Sequence, residues 1–543
     1  MMNRKQLLSF GLLATAIPAA QAQTEADTTI RATRIEITQI YKPKVKQADK
    51  ESLVPVLPPR SRTTPRFDYQ VPQYSPAYTY KPSPLQPLAL LNDSAGGGFR
   101  HYLKAGIGNR HSILLEGGTD ILQGRYFNAQ LFGGLLSQKS SLAYQQQLLA
   151  DIDGKGTYRK GNTAADIDLN ILHRNFYQYG YNHDAYPSKV PAKQTLSGAG
   201  LLLNVRHGND TNNWAPEVRV RLSYYSGSRI NNENTGGAGI FANRYFSSEQ
   251  LRLSFGAEAV GTQVSTDTYS AGNSYAYLSA GAVYNSGDWT LRGFIRPAIG
   301  QHGNSWLLQD LSVKRQFRSS GTTLELGSIG AIQQNTYKDL FLTNPFISTF
   351  TTQQSHSNEF FINASQKIGK HISAEARGSF WKYENLASFL NGFPGEGEKM
   401  YTVYLPRVTA VSLQGSLRYQ IADQISVGAQ VYLFRYTKVS YDNKVWQTPN
   451  TRINGDLLWH PINKLSITAY MAYVGGNFAV DSTAITRKLK AYADVGVGAE
   501  WNIVKNISLF ANVNNLLNNK YERWLGYQAY GINVIGGLRV KFK

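Results

Sequence analysis

Ile532-Asn533-Val534-Ile535-Gly536-Gly537-Leu538-Arg539-Val540-Lys541-Phe542 ends one residue before the carboxyl terminus of the chain. In an extended backbone Ile532, Val534, Gly536, Leu538, Val540 and Phe542 share one side, and Asn533, Ile535, Gly537, Arg539 and Lys541 share the other. One face is greasy and the other mostly wet. That is the pattern of a wall strand in a bacterial outer-membrane barrel, where lipid-facing and lumen-facing positions alternate.

The pattern recurs upstream. Val411, Leu413, Leu417, Tyr419 and Ile421 alternate with Ser412, Gln414, Ser416, Arg418 and Gln420; Ala422-Asp423-Gln424 turns the chain, and Ile425, Val427, Ala429, Val431 and Leu433 begin the pattern again. Tight turns of the same kind are predicted at 285–288, 318–321, 367–370, 461–464 and 504–506, with longer polar loops at Ser226 to Asn243 and Leu390 to Tyr401. Short turns at one end and long loops at the other are how such barrels divide periplasm from exterior. The turns imply about 20 to 22 strands, or about 16 to 18 if some strands merge with loops. A propeller would show a blade repeat at a fixed period, and there is none.

The first 22 residues read as a cleavable signal peptide: Arg4 and Lys5, the apolar stretch Leu7 to Ile17, then Ala20-Gln21-Ala22 before Gln23. Residues 23–98 form a different material, a periplasmic extension. Ten of the chain's 20 prolines lie between Pro43 and Pro87, and each removes a backbone donor and disfavours helix at the residue before it. Thr28 to Tyr41 is the one stretch there that alternates well enough for a strand. Tyr69, Tyr74, Tyr78 and Tyr80 make the arm adhesive and are its candidate docking residues for a periplasmic or outer-membrane protein. Residues 99–543 are the barrel.

The formal charge is +20 and there are no cysteines, so an exported chain of this kind has neither disulfides nor thiolate metal sites. No basic recognition helix or nucleic-acid module is present, and nucleic acid is not an expected partner. The excess charge points to a basic pore lining or to anionic lipid headgroups, lipopolysaccharide included, at the outer surface. The nine histidines are scattered, and there is no metal-ligand spacing, nucleophile elbow or phosphate loop. No cofactor, metal or catalytic residue is expected. A hydrolase assembled at the barrel rim from distant residues is the third reading.

Charged residues on the wet faces are the candidate lumen set: Glu217, Arg219, Arg221, Glu375, Arg377, Arg418, Glu500 and Arg539. The arginines either favour anions in transit or pair with the inward glutamates and stiffen the lumen, and pairing is the stronger expectation. Trp381, Trp459, Trp501 and Trp524, with Tyr419 and Tyr473, read as interfacial girdle.

Asn514-Asn515-Leu516-Leu517-Asn518-Asn519-Lys520-Tyr521, followed by Trp524, Gly526, Tyr527 and the final strand, resembles the C-terminal hairpin of TonB-dependent receptors. Tyr102-Leu103-Lys104-Ala105-Gly106-Ile107-Gly108-Asn109 likewise resembles the start of a receptor-like barrel. The resemblance implies a 22-stranded barrel and solute transport. Family members carry a folded plug of roughly 150 residues ahead of the barrel, more than the proline-rich extension holds, so a plugless receptor-like barrel is expected. The alternative is a fixed subunit of an outer-membrane assembly, with the arm docking its partner.

Overall fold

A computed structural model describes residues 100–543 apart from 185–186, 189, 209–213, 247–249, 392–399, 441–443 and 481–484. The signal peptide, the Pro/Tyr arm with Tyr69, Tyr74, Tyr78 and Tyr80, and most of the loop between Leu390 and Tyr401 lie outside the described residues.

One sheet dominates. Its first strand, His101–Gly108, pairs with the last, Asn533–Phe542, from His101↔Phe542 to Gly108↔Ile535, so the sheet closes on itself. Of its 23 strands, the short Ile347–Thr349 pairs in parallel with Met400–Ala422 and stands apart from the wall; the other 22 form a closed antiparallel barrel. Closure leaves no open edge, the condition for backbone to lie in hydrocarbon.

Side-chain alternation sets the inside and outside of the wall. On Trp214–Gly227, Val218, Leu222 and Tyr224 are exposed while Glu217, Arg219 and Tyr225 are buried. On the final strand Val534, Leu538 and Phe542 are exposed while Asn533, Arg539 and Lys541 are buried. A soluble protein would bury the first set; here lipid takes its place.

Both ends of the barrel chain, Arg100 and Lys543, sit at the end bearing the tight turns. Those at 287–288, 318–321, 369–371, 423–424, 463–464 and 505–506 fall where the sequence places them. Gly287 and Gly369 adopt φ of +56° and +60°, a left-handed conformation that a β-branched residue would strain to reach. The opposite end carries the long connections, including 178–192, 334–354, 440–450, 476–491 and 515–532.

Two expectations need correction. Ser226 to Asn243 is not a loop: Trp214–Gly227 and Ile230–Phe246 are joined by residues 228 and 229 alone. Polar Asn232 and Asn234, with small Gly236 and Gly237, disguise a strand. Trp381 and Trp524 do not belong to the girdle. Trp381 is buried inside, stacked on Tyr383 at 5.5 Å and donating from Nε1 to Ser412 Oγ at 2.9 Å. Trp524 is buried in the last loop against Phe389. Trp459, Trp501, Tyr419 and Tyr473 do face outward, as do Trp214 and Trp289.

Candidate functional site: lumen charges and a closed mouth

The inward charges make closed pairs. Arg219 meets Glu217 at 2.6 Å and Glu258 at 3.6 Å, with its guanidinium 4.5 Å from the Phe241 ring centre. Arg377 bonds Glu359 through Nε at 2.8 Å and Nη2 at 2.5 Å, Ser379 Oγ donates to the same carboxylate, and the Phe361 ring lies 3.6 Å from the guanidinium. Arg418 pairs with Asp456 at 3.1 Å and Arg539 with Glu500 at 3.1 Å. Glu375 accepts from Asn363 Nδ2 at 2.9 Å. Arg221 shares the inward face of the Arg219 strand. Burial makes the Arg219, Arg377 and Arg539 pairs costly to break singly and poorly suited to attracting a mobile ion, whereas Arg418 and Asp456 are partly exposed.

Sequence reading placed these arginines but assigned only some partners. Glu359, Glu258, Asp456 and the buried Arg296–Asp310 pair at 3.0 Å were missed. Alternation carries the signal for each, since each occupies the wet face of its strand; the cross-strand register that joins them does not show in sequence.

The larger feature is at the loop end. Residues 334–354 leave the wall after Thr322–Gln333, fold inward, form the short helix Tyr337–Thr343 and return to Ser355–Ile368. Thr336 Oγ1 caps the helix by accepting from Asp339 N at 3.2 Å. Glu233, from the wall, accepts from Tyr337 N at 2.5 Å and Lys338 N at 3.1 Å, so its carboxylate satisfies two of the helix's free N–H groups.

An aromatic core holds the segment across the mouth. Tyr337, Leu340, Phe341, Phe346, Ile347 and Phe350 are buried with Leu172, Leu196, Tyr225, Ile230 and Val264 from one arc of the wall, and with Phe389 and Met400 from the other. Trp524 and Tyr527 of the last loop complete the cluster. Phe346 stacks on Tyr527 at 3.7 Å, and the edge of Tyr179 meets both rings, at 5.7 Å and 5.2 Å. Gln178 Nε2 donates to Phe346 O at 2.9 Å, Tyr269 OH to Phe350 O at 3.1 Å, and Asn344 Nδ2 approaches Met400 Sδ at 3.0 Å. Burial pushes the hydroxyls of Tyr179 and Tyr337 above the ordinary tyrosine range. A cleft between the inward segment and the last loop, lined by Arg174, Phe176, Phe346, Arg523 and Tyr527, encloses about 80 Å³. That is well below the roughly 300–1,000 Å³ of small-molecule sites.

Among the described residues no three His, Asp or Glu side chains converge on a point that could hold a metal.

No protein-family model and no curated protein matches the sequence. Solved structures do match the fold. The FrpB iron transporter from Neisseria meningitidis superposes with a TM-score of 0.62 at 12% identity, over 82% of this chain and 81% of that one. The ferric enterobactin receptor PfeA from Pseudomonas aeruginosa gives 0.61 at 12% over 82% of both chains, and the siderophore receptor PiuA from Acinetobacter baumannii 0.58 at 11% over 82% of both. At these identities the shared property is the fold, a closed antiparallel barrel.

Proposed function

We propose that this chain is a TonB-dependent-receptor-like barrel that passes a solute across the outer membrane, without a plug of its own, and whose outer mouth is held shut by the inward-folded segment 334–354. The observation that carries the reading is the cluster joining Phe346 and Tyr527 across the mouth, with the Glu233 carboxylate fixing the helix start. A mouth closed by a loop, rather than by the wall itself, can open without unfolding the barrel. The structural neighbours described as an iron transporter and as ferric or siderophore receptors support a solute-transport role. The lumen arginines serve as struts and not as an anion filter.

The test is conductance in planar bilayers of the mature chain and of a variant in which 336–350 is replaced by a short Gly-Ser turn. The expected outcome is low conductance in the first and a large, weakly selective conductance in the second. Silence in both rejects the transport reading in favour of a fixed subunit of an outer-membrane assembly. The paired lumen charges suit that second reading equally, since struts serve a filled barrel as well as a gated one.

A further inference from the structure

The outer face of the wall carries one more feature that transport does not use. Strands Ile372–Asn391, Met400–Ala422 and Ile425–Val439 are neighbours, and their register aligns their outward positions in rows. Phe380, Val411, Leu413, Leu417 and Leu433 form the lipid-facing belt, all exposed. Directly above it, toward the loop end, Lys382 stands opposite Thr409, and Thr409 opposite Lys438. Arg435 stands opposite Val411 at the upper edge of the belt, and Arg407 lies two residues above Thr409.

Local structure fixes the cluster. The register shifts between Thr409 and Ala410, where Thr437 is the extra residue of a bulge. A bulge sets two residues against one and turns both to the same face. Thr437 therefore bonds Thr409 Oγ1 to Oγ1 at 2.8 Å on the outer surface, and Lys438 joins it there. Arg407 is held by its backbone, its N–H donating to Ser440 Oγ and its carbonyl accepting from the same hydroxyl, both at 2.7 Å.

All four cations are exposed, and none makes an ion pair with a carboxylate among the described residues. Glu384, opposite Arg407 in the ladder, is engaged by Trp306 Nε1 at 3.1 Å and His356 Nδ1 at 3.4 Å. On the side of Ser355–Ile368 the neighbour is uncharged, Asn358 standing opposite Lys382. The loop end of such a barrel faces the exterior, so this height is the headgroup layer of the outer leaflet. Strand spacing of about 4.8 Å places Lys382 and Lys438 roughly 10 Å apart. Four exposed cations there, on an apolar wall, match a ligand with clustered phosphates on acyl chains.

We propose that Lys382, Arg407, Arg435 and Lys438 form a binding site for the phosphorylated glycolipid headgroup of the outer leaflet, with its acyl chains on the belt below. The site is independent of whether the barrel conducts.

The experiment is native mass spectrometry of the full mature chain in detergent, titrated with diphosphoryl lipid A, with the same lipid stripped of phosphate, and with inorganic phosphate as competitor. The native protein is expected to hold diphosphoryl lipid A at least tenfold more tightly than the phosphate-free lipid. The variant Lys382→Gln/Arg407→Gln/Arg435→Gln/Lys438→Gln should lose that preference while keeping the gel mobility of a folded barrel. If this variant does not fold, Lys382→Gln/Lys438→Gln is expected to weaken binding several-fold. Equal binding of the two lipids, or an unchanged preference in a folded variant, overturns the proposal. Displacement of the lipid by millimolar inorganic phosphate overturns it too, since the site would then be one for free anions.

Discussion

Replacing Phe346 with alanine is the sharpest test of the closed mouth, because the ring is buried in the cluster that joins the inward segment to the last loop. It stacks on Tyr527 at 3.7 Å and meets Tyr179 and Phe176 edge-on at 5.7 and 6.2 Å, while its carbonyl, which alanine keeps, accepts from Gln178. Removing a buried phenylalanine ring costs about 3–5 kcal/mol, and 1.4 kcal/mol is tenfold, so about 4 kcal/mol raises the open-to-closed ratio roughly a thousandfold. The chain has no cysteine, so Leu340→Cys places a single thiol on the buried face of the inward helix. Its rate of modification by an external maleimide follows the population of open mouths when opening is fast relative to labelling. Phe346→Ala should accelerate labelling by about two to three orders of magnitude, with the barrel's folded gel mobility unchanged. A change under about tenfold would mean that Phe346 does not hold the mouth, and that the segment is fixed by its backbone ties to the wall.

The same thiol reports on Glu233. Glu233→Gln leaves one acceptor and removes a charge from the helix start, a loss of about 1.5–3 kcal/mol, so labelling should rise about ten- to hundredfold; an unchanged rate rejects the latch. Tyr337→Phe should leave labelling near the native rate, because the buried hydroxyl has no hydrogen-bond partner among the described residues, whereas Tyr337→Ala should raise it strongly. Glu359→Gln should destabilise the barrel by about 3–5 kcal/mol by stranding the Arg377 guanidinium, read as a lower temperature of gel-mobility loss, and Arg377→Met added to it should recover part of that loss. Because burial raises the Tyr179 and Tyr337 hydroxyls, the open segment ionises first: closure is complete below about pH 10 and weakens above it. Conductance rising between about pH 10 and 12 in the native protein, and less in Tyr179→Phe, is the expected result; identical curves refute it.

The barrel was legible because its determinant is local. A period-two alternation needs only neighbouring residues, and Val411 to Ile421 or Val534 to Phe542 display it without any knowledge of their partners. The rows failed where alternation is carried by residues that read as loop, as at Asn232 to Gly237, and at Trp381, whose indole sits inside because Ser412 offers an acceptor there. The mouth was not legible at all. Its helix has seven residues, too few for a helical period to emerge, and its stability comes from Tyr179, Phe389 and Tyr527, far away in sequence. Tertiary packing, not propensity, forms so short a helix.

The distribution of charge decides what +20 is for. Had it been a pore lining, the lumen would hold the surplus; instead Arg219, Arg377, Arg418 and Arg539 each face a carboxylate. Exposed and half-buried cations with no carboxylate partner among the described residues lie at the two rims, while Arg252, Arg452 and Lys541 are buried on inward faces. At the turn end, Arg244 lies over Trp214 and Phe246, Arg315 over Trp289 and Phe317, and Lys160 and Arg125 beside Tyr126. A ring that sits in the interface carries a cation outward to the phosphate layer, and an Arg laid on it keeps its apolar stem on the wall. At the loop end Lys382, Arg407, Arg435 and Lys438 repeat the arrangement, with Lys382 Nζ 6.0 Å from the Phe380 ring. Anionic headgroups at both surfaces therefore account for the surplus better than an anion in transit does. Neutralising a lumen arginine should change stability, and neutralising a rim cation should change lipid binding.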